Sequence, residues 1–117
     1  MAVDLKELKN VEELDRALTE SEERPVLLFK HSAACPISAR AYREFKAHLE
    51  DAPSAVAYNL IVVQTARSVS NEAETRLGIQ HESPQAILVK KGKQVWNASH
   101  FDITAETLNE AIRNAGD

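Results

Sequence analysis

Strand-like and helix-like segments alternate through most of this chain, and two strand-like segments then follow each other directly. The clearest strand is the apolar run Val26–Phe29, which is typical of a strand covered on both faces. Apolar residues then recur four apart from Ile37 to Leu49, which predicts an amphipathic helix, and Val56–Gln64 predicts another buried strand. Parallel strands joined by helices, with a hairpin and a closing helix after them, predict an α/β fold with a mixed central sheet and helices on both faces.

Polar residues and glycines mark where the remaining elements begin and end. Helix N-caps favour short side chains that accept a hydrogen bond from the backbone, and left-handed C-caps favour glycine. We therefore predict an edge strand over Leu5–Leu8, a first helix from Asn10 to near Glu23, a third helix capped by Ser68 or Ser70 and closed by Gly78, a hairpin turning at Lys90–Lys93, and a last helix from Thr104. The predicted sheet has four to five strands.

Length, charge and composition limit the function classes. A chain of 117 residues is long enough for one buried core, so we expect a single domain over residues 1–117. Its net charge is -4 and only 5% of its residues are aromatic, which gives no support to nucleic-acid binding. The apolar run Leu60–Val63 is too short to span a membrane, and Met1–Lys6 has no export signal, so we expect a cytoplasmic protein. We also expect a monomer.

The only cysteine, Cys35, lies between an apolar strand and an amphipathic helix. A thiol at a helix N-terminus is near the positive end of the backbone dipole and near free N–H donors, which favour the thiolate that attacks disulfides. In Cys35-Pro36-Ile37-Ser38, a serine stands where two-thiol oxidoreductases have a second cysteine. The pattern indicates a one-thiol redox site. The alternative is a buried cysteine that acts as a small apolar side chain.

Two further candidate roles depend on short-range spacing. Ser38, three residues after Cys35, can donate a hydrogen bond to the thiolate, or it can be an ordinary exposed serine at a helix start. Pro36 suits the first helical turn, where a missing N–H costs nothing. A single cysteine with scattered histidines offers no spaced ligand set, so we expect no metal site.

These features together resemble a known family. The element order, a cysteine at the second strand-to-helix junction and Ser-Pro before the hairpin resemble the thioredoxin fold. The chain more closely resembles the monothiol bacilliredoxins, through Phe29–Ser32, Cys35–Ser38, Gly78–Ile79 and His81–Gln85. Ala34 stands where that family usually has threonine, so no hydroxyl is available there.

The resemblance implies a thiol-disulfide oxidoreductase that removes bacillithiol from S-bacillithiolated proteins. Cys35 would attack the bacillithiol sulfur, with Ser38 and Pro36 as its catalytic neighbours, and an external thiol would release the adduct. No cofactor would be bound, and bacillithiol would be the thiol co-substrate. Its two carboxylates call for cationic groups and backbone donors.

The resemblance also implies that Ser83–Pro84 is a cis bond beside the thiol and that Ser83 offers backbone groups to an extended substrate. We predict substrate contacts from Ser83, Pro84, Lys30, His81 and Ile37. Arg40 and Arg67 are cationic candidates by position, with a solvated surface charge as the alternative for each cation. A histidine such as His31 or His81 can tune the thiolate or bind an anion, or be simply solvated.

Two other functions stay open from the sequence. One is a glutaredoxin-like protein that uses glutathione, or that shares an iron–sulfur cluster between two monomers through Cys35 and an external thiol. The other is a thioredoxin-like interaction module with an inert cysteine.

Overall fold

The computed structural model describes residues 4–53 and 55–115, which form one five-stranded sheet with helices on both faces. The elements in chain order are β1 (Leu5–Glu7), α1 (Val11–Glu20), β2 (Val26–His31), α2 (Pro36–Glu50), β3 (Ala57–Val62), α3 (Arg67–Leu77), β4 (Gln85–Lys90), β5 (Lys93–Ser99), a 3₁₀ turn (His100–Asp102) and α4 (Ala105–Ala115). The predicted order of strands and helices is confirmed.

The sheet is mixed, with strand order β1-β3-β2-β4-β5. β3 pairs in parallel with β1 and β2, whereas β4 pairs antiparallel with both β2 and β5. Because β2 and β4 run in opposite directions, with Lys30 opposite Gln85, the end of β2 and the start of β4 lie at the same edge of the sheet. The segment that carries Cys35 and the loop that carries Ser83–Pro84 therefore leave the sheet side by side.

Each face of the sheet has its own apolar core. On one face, Phe29 and Leu88 pack with Phe45 of α2 and Leu108 of α4, and the rings of Phe29 and Phe45 stack at 4.6 Å between centroids. On the other face, Leu28 and its neighbours pack against α1 and α3. Successive residues of β2 alternate between these faces, so the strand is buried on both sides, as its apolar sequence predicts.

The first helix begins as predicted but ends early. The side chain of Asn10 accepts a hydrogen bond from the Glu13 N–H at 2.9 Å, which confirms the predicted cap. The helix ends at Glu20, so the prediction of an end near Glu23 is wrong. Ser21 is buried and binds the hairpin turn instead: its carbonyl accepts the Lys91 N–H at 2.7 Å and its hydroxyl accepts the Gly92 N–H at 2.9 Å.

The third helix begins without the predicted cap. It starts at Arg67 after Ala66 and has no side-chain hydrogen bond at its N-cap, so the prediction of Ser68 or Ser70 as cap is wrong. Ser70 lies inside the helix, with its hydroxyl directed to a neighbouring loop rather than to the helix end. Gly78 has φ +66 and closes the helix in the left-handed conformation, as predicted.

His48 of α2 connects its helix to α4 and to strand β3 of the sheet. It is buried on α2; its Nε2 lies 2.8 Å from the Tyr58 hydroxyl of β3, and its Nδ1 lies 2.5 Å from Asn109 Oδ1 of α4. An amide oxygen only accepts, so Nδ1 carries the proton and Nε2 accepts from the tyrosine. Burial lowers the pKa of His48, because the charged form loses solvation.

Across the described residues, none of the helices combines the length and apolarity needed to cross a membrane.

Candidate active site

Cys35 occupies the N-cap of α2, in an extended conformation with φ -105 and ψ 123. The side chain is partly exposed and makes no capping hydrogen bond, and Pro36 takes the first helical position. The N–H groups of Ile37 and Ser38 fall in the first turn, where a helix has no intrahelical acceptors to offer. A thiolate at this position is reachable from solvent and lies near free donors and the positive end of the helix dipole.

Ser38 is fully buried, so the interpretation of it as an ordinary exposed serine is wrong. Its hydroxyl oxygen accepts the Ser32 N–H at 2.9 Å and lies 2.9 Å from His31 Nδ1. In the part of the chain that the structure describes, no hydrogen bond joins this hydroxyl to the Cys35 sulfur. The serine holds the segment before the cysteine against the first turn of α2, and its support of the thiolate stays a prediction.

His31 decides whether the Ser38 proton is free. A hydroxyl has one proton, so a Ser38 that donates to an unprotonated Nδ1 has none left for the sulfur. When Nδ1 carries the proton instead, the histidine donates to the Ser38 oxygen, and the Ser38 hydroxyl proton is free to donate to another acceptor. The His31 ring is stacked on Tyr42 at 4.6 Å, and burial lowers the pKa of His31.

Gln64 is a site residue that the sequence did not reveal. It follows β3 and uses both ends of its amide on the segment before Cys35: Oε1 accepts the Ala33 N–H at 3.2 Å, and Nε2 donates to Ser32 Oγ at 2.8 Å. The available signal was its position, since a polar residue at the carboxyl end of a buried parallel strand lies at the edge where ligands usually bind.

The bond between Ser83 and Pro84 is cis, which confirms the expectation from the resemblance. The Pro84 carbonyl accepts the His100 N–H at 3.1 Å, which fixes this loop to the end of β5. Ser83 is partly exposed, and its backbone N–H and carbonyl have no hydrogen-bond partner among the described residues. Substrate binding through these two groups stays a prediction.

The structure corrects the interpretation of Lys30 as a direct contact for an anionic ligand. Its side chain is fully buried on the α3 face of the sheet, and Nζ donates to the Ser70 carbonyl at 3.2 Å and to His81 Nδ1 at 3.2 Å. His81, in the loop before Ser83, is partly exposed.

The other predicted contacts lie near the surface. Ile37 is partly exposed beside the cysteine on the first turn of α2. Arg67 is exposed at the start of α3, and its charge is one of those that lower the pKa of His81. Arg40 is exposed and lies over the ring of Phe101 at 5.4 Å, a contact that already engages its guanidinium.

No cluster of three or more histidine, cysteine, aspartate or glutamate side chains that could hold a metal ion occurs within residues 4–53 and 55–115.

A thiol at the start of α2, a cis-proline loop beside it and the five-stranded mixed sheet define a thioredoxin-fold oxidoreductase whose sequence has a single cysteine. A family model described as monothiol bacilliredoxin BrxC matches residues 6–108. The chain belongs to the monothiol bacilliredoxin family.

Similarity to solved structures agrees with this fold. A proposed oxidoreductase with a thioredoxin fold is 32% identical, with a TM-score of 0.81 and 92% of each chain covered. Thioredoxin F from spinach chloroplast (short form) has a TM-score of 0.77 at 15% identity, covering 99% of this chain and 96% of that one. Fasciola hepatica thioredoxin has a TM-score of 0.75 at 16% identity, covering 93% of this chain and 97% of that one. The two thioredoxins show the shared fold.

Three histidines make stability depend on pH. Burial is the largest cause lowering the pKa of His31, His48 and His81, so each folded-state pKa lies below the ordinary value of about 6.5. Their contribution to stability is therefore fully present above about pH 6.5 and is lost as the pH falls through the lowered values, because the unfolded chain then binds more protons. We expect the free energy of unfolding, measured in urea, to fall as the pH is lowered below about 6.5.

A variant separates this effect from the titration of carboxyl groups. His48→Gln removes the most buried of the three titrating rings, so its unfolding free energy should fall less steeply over the same pH range than that of the natural chain. A free energy of unfolding that stays constant from neutral pH to about pH 5 would show that the histidines are not held neutral by the fold.

Proposed function

We propose that this protein removes bacillithiol from S-bacillithiolated proteins, using Cys35 as its only nucleophile. The observation that carries the proposal is a partly exposed cysteine at the N-cap of α2, in a chain with no second cysteine and beside a cis-proline loop. Membership of the monothiol bacilliredoxin family supports bacillithiol as the thiol concerned. One sulfur can accept a small thiol from a mixed disulfide, but it cannot expel that thiol by an internal disulfide.

The reaction balances in two exchanges. In the first, the Cys35 thiolate attacks the bacillithiol sulfur, the bond between that sulfur and the modified protein breaks, and the protein cysteine leaves as a thiolate that takes a proton from water. In the second, a free thiol attacks the Cys35–bacillithiol disulfide, Cys35 leaves as a thiolate, and a small-molecule disulfide is released. Cys35 ends the cycle as the thiolate in which it began. The free thiol supplies the electrons that reduce the modified protein, since each step exchanges one disulfide for another.

The surrounding residues support these steps in different ways. The first-turn N–H groups of α2 stabilise the thiolate before attack and again when Cys35 leaves. Ser38 and Gln64 hold the segment from Ser32 to Cys35 in one conformation, which keeps the sulfur in place for attack. The free backbone groups of Ser83 suit an extended segment of the modified protein.

Bacillithiol carries carboxylates, so its own contacts should be cationic or donate hydrogen bonds. Arg67 and His81 are the better-placed pair, because both are at least partly exposed and the charge of Arg67 acts on His81 in the loop before Ser83. We place this reaction in the cytoplasm, where reducing conditions keep a single thiol free, and we propose that the protein acts as a monomer without a bound cofactor.

The test compares two mixed disulfides of one test protein, one with bacillithiol and one with glutathione. Release of the test protein's thiol is followed over time, with each free thiol in turn as co-substrate. We expect faster release from the bacillithiol adduct with bacillithiol present. Equal or faster release from the glutathione adduct would favour a glutaredoxin-like function, and no release from either would favour a non-catalytic interaction module.

A further inference from the structure

We propose that Lys30 is a positioning residue that holds His81 as a neutral imidazole with its proton on Nε2, so that this loop presents one N–H donor to the incoming bacillithiol adduct. The effect on substrate binding, which is measured as KM, rests on the proposed function. The protonation of His81 is a property of the folded chain and can be tested without a substrate.

The direction of the contact fixes the tautomer. An ammonium group has three donors and no acceptor, so at 3.2 Å from Lys30 Nζ the His81 Nδ1 must be the acceptor. A neutral imidazole with a free lone pair on Nδ1 carries its proton on Nε2. The Ser70 hydroxyl lies at 3.2 Å from the same Nδ1, as a second possible donor.

Both the ring and the backbone of His81 are fixed. The ring is bound from β2 by Lys30 and from α3 by Ser70, and the backbone N–H donates to Glu74 Oε2 at 2.7 Å. His81 Nε2 has no hydrogen-bond partner among the described residues, and the side chain is partly exposed. One nitrogen is therefore held inside the protein, and the other is left for a ligand.

The charges around His81 come from three elements. Lys30 of β2 and Arg67 of α3 oppose a positive imidazole, whereas Glu74 of α3 and Glu82 of the loop favour it. Burial, followed by Lys30, is the larger influence, and the pKa of His81 is lowered. Burial also lowers the pKa of Lys30 itself, and the charge of Glu74 opposes that change. A protonated His81 would place two cations in contact and leave the ammonium group with the Ser70 carbonyl as its remaining acceptor among the described residues.

Gln85 supports the placement of the lysine. It lies opposite Lys30 on β4, is buried, and donates from Nε2 to the Gln80 carbonyl at 3.0 Å. Its Oε1 has no hydrogen-bond partner among the described residues. The ammonium group of Lys30 thus has acceptors from α3 and from the loop, next to a buried polar residue of β4.

The consequence concerns how binding depends on pH. An ordinary surface histidine changes charge near pH 6.5. It would therefore change from a neutral donor to a cationic donor as the pH falls through that value. His81 held by Lys30 stays a neutral donor to lower pH than such a histidine, because its pKa is lowered. We expect KM for the bacillithiol mixed disulfide to change less with pH near 6.5 in the natural chain than in a variant that lacks Lys30, because Lys30 helps to lower the pKa of His81.

The test uses Lys30→Met, which keeps the volume and stem but removes the ammonium, with Lys90→Met as the matched control. Lys90 donates to the Ala115 carbonyl at the opposite end of β4, so its loss removes a lysine contact away from His81. In the natural chain and in Lys90→Met, nitrogen NMR of the imidazole ring should show the proton on Nε2 and a pKa of His81 below the ordinary value of about 6.5.

In Lys30→Met, His81 should titrate at higher pH. KM should rise about tenfold, the size of one lost hydrogen bond, while kcat stays unchanged. A proton on Nδ1 of His81 in the natural chain would overturn the proposal, and that measurement needs no variant. An unchanged His81 titration in a folded Lys30→Met would also overturn it. If the natural chain transfers no bacillithiol, the proposed function fails, while the NMR result still decides the Lys30–His81 contact.

Discussion

Replacement of the single thiol, Cys35→Ser, is expected to reduce bacillithiol transfer to the background rate of the uncatalysed exchange. A serine hydroxyl is close in size to a thiol, but it is not ionised near neutral pH and does not attack disulfides. Because the chain contains no other cysteine, no second group can take over the reaction. Release of the test protein's thiol under saturating substrate measures the loss.

The same variant should keep the fold. The thiol is partly exposed and makes no capping hydrogen bond, so we expect the free energy of unfolding to change by less than about 0.5 kcal/mol. Equal urea unfolding curves for the two proteins are the required control. Substantial transfer by a folded Cys35→Ser variant would show that the sulfur is not the nucleophile.

Phe45→Ala should destabilise the protein by about 3–5 kcal/mol. Phe45 is fully buried, stacks on Phe29 at 4.6 Å and lies 6.2 Å from the ring of Tyr58, so its removal opens a cavity between α2 and the sheet. Both the lost apolar contacts and the cavity contribute to the cost. Urea unfolding at neutral pH measures the change.

Phe101→Ala is the matched control, because Phe101 is 60% exposed and removal of its ring leaves no cavity. We expect it to change the unfolding free energy by less than about 1 kcal/mol, which includes its contact with Arg40. If Phe45→Ala proved no more costly than Phe101→Ala, the packing between α2 and the sheet would not be the one described.

The order of the elements was predictable because each has a clear period or a cap that acts locally. The continuous apolar run of β2, the spacing of four along α2 and the Asn10 cap depend only on neighbouring residues. The wrong boundaries have tertiary causes. Ser21 leaves the first helix to bind the hairpin turn, and Ser70 binds His81 rather than the start of its own helix.

The candidate site also has some features that the sequence predicts and others that depend on tertiary packing. The position of Cys35 and Pro36 follows from the junction of strand and helix, and the cis bond at Pro84 followed from the family resemblance. The burial of Ser38 and Lys30 depends on what packs over them, which no local pattern records. Gln64 reaches the cysteine segment only because β3 lies beside β2.

The most direct test of the central claim is the intact mass of the reduced protein after mixing with an equal amount of a bacillithiolated test protein, with no free thiol present. The proposal predicts a gain of one bacillithiol on Cys35, matched by the appearance of one unmodified thiol on the test protein. An unchanged mass, or a disulfide joining the two proteins in place of the adduct, would contradict attack of Cys35 on the bacillithiol sulfur.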